Sequence, residues 1–146
     1  MDNPKECIAL RSEFICMTAT ARKKIAIVED SPDTAELMTA FLNDLCDDFQ
    51  VSSFPTGPAF LEAFQRGVYR LVILDISLPE MDGYEVLRRI RLIDPTIPVV
   101  AFTAHTGMHF CQRAIEAGFN DIVTKPVLDM DAFCRMIIEV SDRPAA

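Results

Sequence analysis

Long apolar runs and secretion signals are both missing from this sequence of 146 residues. No apolar run approaches the roughly 18 to 20 residues that a membrane-spanning helix requires. The first residues include Asp2, Lys5 and Glu6, where a secretory leader would be basic and then apolar. These absences predict a cytoplasmic protein that has no membrane among its partners.

The cysteines lack the spacing of a metal-binding or disulfide-bonded domain. They are odd in number and include no C-x-x-C pair: Cys7, Cys16, Cys46, Cys111 and Cys134. Neither a zinc knuckle nor a disulfide framework is therefore predicted. Buried or unreactive thiols are the better interpretation.

Basic residues are also scarce. The chain has 14 Lys and Arg against 22 Asp and Glu, and its formal net charge is −8 at pH 7. Because this charge repels the phosphates of nucleic acids, we expect proteins or metal ions as partners, and no nucleic acid. The sequence has no repeats or low-complexity tracts, and its length with 50% hydrophobic content predicts a single main domain.

What is present, from residue 23 onward, is an alternation of short apolar runs with stretches of helical periodicity. This pattern is typical of repeated βα units around a parallel sheet. Strands are expected at residues 24–28, 49–54, 71–75, 98–103 and 121–124. The third and fourth should be central, because residues 71–74 and 99–102 are apolar on both faces. We expect an α/β fold, a doubly wound five-stranded parallel sheet in the flavodoxin-like order 2-1-3-4-5.

Five helices are expected to connect and follow these strands. The first begins at Pro32 after a Ser31 cap, and the second runs from Thr56 to Gly67. The third follows Gly83, and the last two lie near residues 108–117 and 131–140. The predicted apolar stripe of the first helix contains Ala35, Leu37, Met38, Phe41, Leu42 and Leu45. On the third helix, Arg88, Arg89 and Arg91 are expected to face solvent.

Residues 1–22 lie outside this pattern and are expected to form an N-terminal extension. Asn3 could cap an amphipathic helix there, but a frayed tail, or a true start at Met17, is equally compatible with the residues. The main domain is expected at residues 23–141 and a tail at 142–146. Since only six residues follow Val140, we expect a chain without an output domain, which acts alone or as a relay carrier.

Polar side chains stand at the carboxyl ends of four predicted strands. Glu29 and Asp30 end the first strand, Asp75 the third, Thr103 the fourth and Lys125 the fifth. In open parallel sheets ligands bind beyond these ends. The first and third strands are neighbours in the expected order, so the three carboxylates should share one crevice.

Three carboxylates in one crevice repel each other by about 4 kcal/mol per pair, for charges 4 Å apart at an effective dielectric near 20. A hard divalent cation would relieve this repulsion, and Mg²⁺ fits best because it needs few carboxylates beside water and phosphate. A set of helix caps and solvated loop carboxylates is the alternative. It would be the default for a single Asp, but four strand ends with matched chemistry make it the weaker interpretation.

The residue types suit phosphoryl transfer. A carboxylate can attack phosphorus to form an acyl phosphate, and Asp75 is the candidate because its strand is central. Lys125 would supply a positive charge and Thr103 a hydroxyl donor to the transferred group. Lys125 precedes Pro126, and the bond between them could be cis, since proline cuts the trans preference to roughly 0.5 to 1 kcal/mol.

These residues, in this order, resemble the receiver domain of two-component response regulators, the CheY-like family. The matching segments are residues 25–30, 71–75, 78–83, 99–104, 117–118 and 124–126, and the resemblance covers residues 23–140. It implies that Asp75 takes phosphate from a sensor histidine kinase or a histidine phosphotransfer protein. Glu29, Asp30, Asp75 and the backbone carbonyl of Ser77 would hold Mg²⁺, while Thr103 and Lys125 would contact the phosphoryl group.

The resemblance also implies a switch that acts on a downstream protein target through the fourth helix, fifth strand and fifth helix. Ala104, His105 and Pro126 belong to this switch region. Ile122 departs from the family, which often has an aromatic residue there, so the output face need not follow the usual pattern. Ser77 and His105 stand where the family tunes the lifetime of its acyl phosphate. His105 and His109, four apart, are interpreted as exposed histidines rather than as a metal site.

Two other functions remain open from the residues. A phosphatase with an Asp nucleophile, of the haloacid-dehalogenase type, would need a D-x-D-x-T signature after the first strand, where this chain has Asp30-Ser-Pro-Asp33-Thr34. A docking module that works without phosphorylation is the second, and the intact set of strand-end residues argues against it. Under the receiver interpretation the protein is not an enzyme, apart from slow self-catalysed phosphorylation and dephosphorylation.

Overall fold

The structure is a computed structural model that describes residues 23–45 and 49–142. The predictions made for residues 1–22, for Cys46 and for residues 143–146 lie outside the described residues. No helix in the described ranges is both long and apolar enough to cross a membrane.

Strands and helices alternate along the described chain as the sequence predicts. The strands are β1 (Lys23–Val28), β2 (Phe49–Phe54), β3 (Leu71–Asp75), β4 (Val99–Thr103) and β5 (Asp121–Thr124). The helices are α1 (Pro32–Leu45), α2 (Gly57–Ala63), α3 (Gly83–Ile93), α4 (Met108–Ala117) and α5 (Met130–Ser141).

The sheet is parallel throughout, and its strand order is β2-β1-β3-β4-β5. This order confirms the predicted flavodoxin-like arrangement. Every residue of β3 and β4 is buried, as expected for central strands covered by helices on both faces. The register pairs Asp75 of β3 with Phe102 of β4, which aligns the carboxyl ends of the two strands.

Two hydrophobic clusters, one on each face of the sheet, make up the core. Val72, Leu74 and Ala101 contribute to one of them, together with residues of α2, α3 and α4. Ile73, Val100 and Phe102 contribute to the other, together with residues of α1 and α5. Neighbouring residues of one strand thus belong to different clusters, because successive side chains of a strand point to opposite faces.

Local signals in the sequence define the helix ends. The Asp82 side chain accepts a hydrogen bond from the Glu85 N–H at 3.0 Å and caps α3. Thr56 caps α2 in the same way through the N–H of Ala59, at 3.2 Å. Gly118 ends α4 with a φ of 115°, in the left-handed region that glycine adopts without strain.

One prediction about helix packing and one about a helix end are wrong. Leu37 and Phe41 of the predicted α1 stripe are 51% and 39% exposed, because the sheet covers a narrower face of the helix than the apolar pattern spans. The α2 helix ends at Ala63 rather than at Gly67, since Phe64 adopts an extended conformation. Phe64 is nevertheless buried, as predicted.

Arg91 also differs from its prediction. It is half-buried rather than solvated, and its guanidinium donates to the Ile97 carbonyl at 2.6 Å and to the Gly118 carbonyl at 3.1 Å. A third hydrogen bond, at 2.9 Å, reaches the Asn120 side chain. Helical periodicity could not reveal this role, because Gly118 and Asn120 come from a loop that approaches α3 only in the folded chain, while Ile97 lies in the loop that directly follows the helix.

Candidate functional site

The carboxylates of Glu29, Asp30 and Asp75, called the acidic cluster below, meet at the carboxyl edge of β1 and β3. Val28 is paired with Leu74, so the residues that follow them stand at the same level of neighbouring strands. One carboxylate oxygen from each residue lies within 4.8 Å of those of the other two. Glu29 and Asp75 are only 2% exposed, whereas Asp30 faces solvent.

Backbone contacts hold the two buried carboxylates in place. The N–H of Ser31 donates to Glu29 Oε1 at 3.1 Å, and the N–H of Ser77 donates to Asp75 Oδ1 at 2.9 Å. The Glu29 backbone is itself tied to β2 by a hydrogen bond from its N–H to the Phe54 carbonyl, 3.0 Å long. Each buried carboxylate therefore keeps one oxygen for other contacts.

Lys125 approaches both buried carboxylates from the far edge of the sheet. Its Nζ lies 2.8 Å from Asp75 Oδ2 and 2.7 Å from Glu29 Oε2. Its backbone N–H donates to the Thr103 carbonyl at 2.7 Å, which fixes the start of the side chain. The Lys125–Pro126 peptide bond is cis, one of the two isomers that the sequence allowed.

Burial and charge act against each other in this cluster. Burial raises the pKa of Glu29, and the charge of Asp75 raises it further, against the lowering effect of Lys125 and the Ser31 N–H. Burial alone would lower the pKa of Lys125, but the hydrogen bonds and charges of Asp75 and Glu29 outweigh it and raise that pKa. The lysine is thus held as a cation, while the ionised form of Glu29 is disfavoured.

One buried oxygen of the acidic cluster has a single partner that it must share. Glu29 Oε2 is shielded from solvent, and within residues 23–45 and 49–142 its contact with the Lys125 ammonium, at 2.7 Å, is an ion pair and not a well-directed hydrogen bond. Its only close cationic neighbour there is Lys125, which also serves Asp75. A buried acceptor of this kind, with two further carboxylate oxygens nearby, fits a hard divalent cation that prefers oxygen ligands.

Two residues of the acidic cluster, Glu29 and Asp30, line a groove beside α1. The groove has a volume of about 550 Å³ and extends from these residues along α1 to Phe54 and Pro55. Asp75 is not part of its lining, so the groove gives access to the cluster from the Glu29 and Asp30 side.

Thr103 lies one residue beyond the level of Asp75. It is 4% exposed, and its side-chain oxygen accepts a hydrogen bond from the His105 N–H at 3.0 Å. Phe102, the preceding residue, is the register partner of Asp75. The Thr103 hydroxyl is thus attached to the loop that leads into α4.

Gly83 permits the close approach of α3 to the acidic cluster. A Cβ atom at this position would stand 2.5 Å from the Asp75 carbonyl oxygen and 2.6 Å from the Ile76 Cα. The Gly83 N–H instead donates to the Ile76 carbonyl at 2.8 Å. In the same loop Ser77 is exposed, and Glu80 has a φ of 67°, a left-handed conformation that is uncommon outside glycine.

The residues assigned to the switch region lie at the surface or near it. Ala104, His105 and Pro126 are exposed, and Ile122 is half-buried, packed against the cluster that α3 and α4 cover. His105 lies before α4, so it shares no helix face with His109. Instead, both histidine rings contact the ring of Phe110, at centroid distances of 4.6 and 5.9 Å.

One contributor to the site was missed in the sequence. Phe102 was interpreted only as part of a buried strand, yet its ring lies under the Lys125 ammonium. Its position directly before Thr103, at the edge where ligands bind, is the signal that could have indicated this role.

Comparison with known proteins gives a family match over most of the chain. The family model of the response regulator receiver domain matches residues 25–138. An uncharacterized 14.6 kDa protein in the sodA1 3′ region of Leptolyngbya boryana is 35% identical over 113 residues, which are 76% of this chain and 85% of that protein. Response regulator PleD of Caulobacter vibrioides is 34% identical over 116 residues, 77% of this chain. The chain spans only 25% of the length of PleD.

A solved structure of a receiver domain shares the fold of this chain. The receiver domain of sensor histidine kinase PA1611 from Pseudomonas aeruginosa has a TM-score of 0.74 and 26% identity, covering 84% of this chain and 100% of that domain. That structure has a magnesium ion coordinated in its active site cleft.

Proposed function

This chain belongs to the receiver domain family of response regulators, and on that premise we propose that it accepts a phosphoryl group on Asp75 with the help of Mg²⁺. The observation that carries the proposal is the acidic cluster, with one Lys125 ammonium shared by Glu29 and Asp75. Glu29, Asp30, Asp75 and the backbone carbonyl of Ser77 would hold the ion. Its charge would neutralise oxygens of the incoming phosphoryl group.

The side chains divide the remaining work. An Asp75 oxygen attacks phosphorus, the bond from phosphorus to the donor breaks, and an acyl phosphate forms on the carboxylate. Lys125, already 2.8 Å from Asp75 Oδ2, stabilises the added negative charge. The Thr103 hydroxyl, which is free to rotate, turns its proton toward a phosphoryl oxygen.

The phosphoryl charge then acts on the loop between β4 and α4. Thr103 is joined to this loop through the His105 N–H, so a shift of its hydroxyl toward Asp75 changes the position of the loop. The exposed surface of α4, β5 and α5 would present the change to a downstream protein target. Met108 and Leu128, which are 85% and 90% exposed, lie on this surface.

The donor in this proposal is a sensor histidine kinase or a histidine phosphotransfer protein. The protein acts as a phosphoacceptor and switch rather than as an enzyme with turnover. Its place in the cytoplasm, the absence of nucleic acid and membrane from its partners, and the domain limits at residues 23 and 141 stay predictions.

Labelling by acetyl phosphate tests the proposal. We expect the wild-type protein to be phosphorylated only in the presence of Mg²⁺, and Asp75→Asn not to be labelled under either condition. Intact-mass measurement detects the modification. Wild-type protein that stays unlabelled while it binds Mg²⁺ would support the phosphorylation-independent docking module. Sustained hydrolysis of phosphate esters would instead support the phosphatase.

His105 and Ser77 are proposed to affect the lifetime of the acyl phosphate. Both are exposed beside the cluster, where a side chain can control the approach of water to the phosphorylated Asp75. We expect His105→Ala to change the rate of dephosphorylation without changing Mg²⁺ affinity. An unchanged decay rate, followed by mass after removal of acetyl phosphate, would remove His105 from this role.

A further inference from the structure

The Lys125 side chain passes over the end of β4 to reach the carboxylates of Asp75 and Glu29. It follows β5 at the edge of the sheet, whereas Asp75 and Glu29 follow β3 and β1, two and three strands away. Adjacent strands lie about 4.8 Å apart, so the side chain leans over the end of β4. Its Nζ nevertheless reaches within 2.8 Å of Asp75 Oδ2 and 2.7 Å of Glu29 Oε2.

The residue beneath this crossing is Phe102 of β4. The Lys125 Nζ lies over its ring, 4.7 Å from the centroid. Phe102 is 1% exposed and is packed in the cluster that α1 and α5 cover, so the ring has a fixed position. The negative face of an aromatic ring attracts an ammonium group at this distance, and the ring also packs against the lysine stem.

The ring differs from the carboxylates in one respect: its electrostatic field does not change during the reaction. A cation bound by Glu29 and Asp75 would weaken the attraction of both carboxylates for Lys125, and a phosphoryl group on Asp75 would change it again. The uncharged ring of Phe102 attracts the ammonium equally in all these states.

We propose that Phe102 is a positioning residue that keeps the Lys125 ammonium beside Asp75 while a cation and a phosphoryl group enter the site. The inference rests on the proposed function. Phe102 does not touch the reacting atoms, and it acts through Lys125.

Phe102→Leu separates this role from ordinary packing, because leucine fills most of the space but has no aromatic face. Phe133→Leu is the matched control. Phe133 is 4% exposed and belongs to the same hydrophobic cluster, and in the described part of the chain no cation lies over its ring. Both variants lose apolar contacts in the core, and only Phe102→Leu removes the ring from Lys125.

The first measurement is the rate of labelling by acetyl phosphate at saturating Mg²⁺. We expect Phe102→Leu to be about three- to tenfold slower than wild type, and Phe133→Leu to label at the wild-type rate. Lys125→Met should also be slow, and Phe102→Leu should cause no additional slowing in that background, because two residues that act through one contact are not additive.

Mg²⁺ affinity gives a readout that is independent of labelling. Phe102→Leu should bind Mg²⁺ at least as tightly as wild type, because a less firmly held ammonium competes less for the carboxylates. General destabilisation would weaken binding and slow labelling together.

Three results would overturn the inference: equal slowing in both leucine variants, additive slowing in the Lys125→Met background, or wild-type labelling by Phe102→Leu. If the wild-type protein itself is not labelled, the proposed function fails, and this inference fails with it. Labelling of wild type and of Phe102→Leu at one rate removes the role of Phe102 alone.

Discussion

Polar side chains are buried both where the strands begin, called the amino edge, and where they end, called the carboxyl edge. The two places differ in how many hydrogen-bond partners these side chains have. At the amino edge, where β4 and β5 begin, Arg91 and Asp94 have hydrogen-bond partners in the neighbouring loops. At the carboxyl edge, the acidic cluster brings like charges together, and Glu29 Oε2 has, among the described residues, only an ammonium group that it shares with Asp75.

The amino edge shows how a buried charge is accommodated. Asp94 is 6% exposed, and its Oδ1 accepts hydrogen bonds from the Thr96 N–H and hydroxyl, both at 2.9 Å, and from the Ile97 N–H at 3.2 Å. Arg91 connects α3 to the loop before β4 through the Ile97 carbonyl. It also connects α3 to the loop before β5 through the Gly118 carbonyl and the Asn120 side chain. Such a satisfied network stabilises the fold.

The carboxyl edge also brings carboxylates and a basic side chain together, but there the carboxylates have fewer hydrogen-bond partners. Two of its three carboxylates, those of Glu29 and Asp75, share one ammonium group, and burial disfavours the ionised form of Glu29. Buried charge that lacks partners costs stability, so it persists where a ligand supplies the missing interaction. Buried like charges with too few partners, rather than a buried polar group as such, therefore mark the site.

The largest expected effect comes from breaking the network at the amino edge. Arg91→Met should lower the free energy of unfolding by about 2 kcal/mol, because it leaves the Ile97 and Gly118 carbonyls and the Asn120 side chain without their charged donor. Urea denaturation measures this loss. Labelling of the folded protein by acetyl phosphate should stay at the wild-type rate.

Arg88→Met is the control for that prediction. Arg88 is on the same helix, but it is exposed, and among residues 23–45 and 49–142 it pairs only with Glu85 on the surface, at 2.8 Å, so we expect a loss below about 1 kcal/mol. Equal losses in the two variants would contradict the role assigned to Arg91.

Removing a charge at the carboxyl edge should have the opposite sign. Because the pKa of Glu29 is raised in the folded state, its ionised form lowers stability at neutral pH. Glu29→Gln should therefore raise the free energy of unfolding by about 1 kcal/mol in EDTA at pH 7. The gain should vanish as the pH falls through the raised pKa, where wild-type Glu29 takes up a proton.

In Mg²⁺ the order of stability should reverse, with wild type more stable than Glu29→Gln. Saturating MgCl₂ should stabilise the wild type more than Glu29→Gln, because the variant lacks one anionic ligand. Denaturation curves in EDTA and in MgCl₂ check both halves. If Glu29→Gln is less stable than wild type in EDTA, then the Glu29 carboxylate stabilises the fold without a cation, and the contrast between the two edges is wrong.

A smaller effect is expected from the pH dependence of Asp94. Burial alone would raise its pKa, but the hydrogen bonds from Thr96 and Ile97 outweigh burial and lower that pKa below 3.8. A lowered pKa stabilises the fold above pH 3.8, and this stabilisation is lost as the pH falls through the folded-state value.

Asp94→Asn keeps an acceptor oxygen but does not titrate. We expect it to lose less than about 1 kcal/mol at pH 7, and its free energy of unfolding should fall less steeply than that of wild type below pH 4, the range set by the ordinary value of 3.8. Parallel profiles from urea denaturation at several pH values would mean that Asp94 does not couple to folding.

The smallest effect concerns strain at the carboxyl edge. Glu80 has a φ of 67°, and the Met81 N–H donates to the Pro79 carbonyl at 2.7 Å across it. Glu80→Gly should stabilise the fold by about 0.5 kcal/mol, since relief of the left-handed conformation slightly exceeds the entropy that glycine loses. Glu62→Gly, in α2, should instead destabilise it, as glycine does inside a helix. Thermal denaturation compares the two.

Much of the fold follows from local pattern. Residues 71–74 and 99–102 are apolar without interruption, which predicted two central strands, and all of them are buried. Strong end signals such as the Asp82 cap and Gly118 located helix ends. The exposed Leu37 and Phe41 could not be predicted in this way, because the width of the covered face depends on how α1 lies on the sheet.

The candidate site was predictable to a similar degree. Strand order and strand ends together predicted that Glu29 and Asp30 would stand beside Asp75, and the structure brings these carboxylates together. The contact of Lys125 with Glu29 was not predicted, and neither was the ring of Phe102 beneath it. Both depend on the path of one long side chain across β4, which no local pattern encodes.

Local pattern in the chain was enough to define the strands, the helices and the chemical types at the carboxyl ends, because periodicity and capping act over a few residues. How well each polar group is satisfied depends instead on the packing of the whole chain: Arg91 finds acceptors in two loops, whereas among the described residues Glu29 Oε2 has only the shared ammonium of Lys125 close by. Hydrogen bonds and burial depend on which segments meet in space, and no stretch of a few residues encodes this.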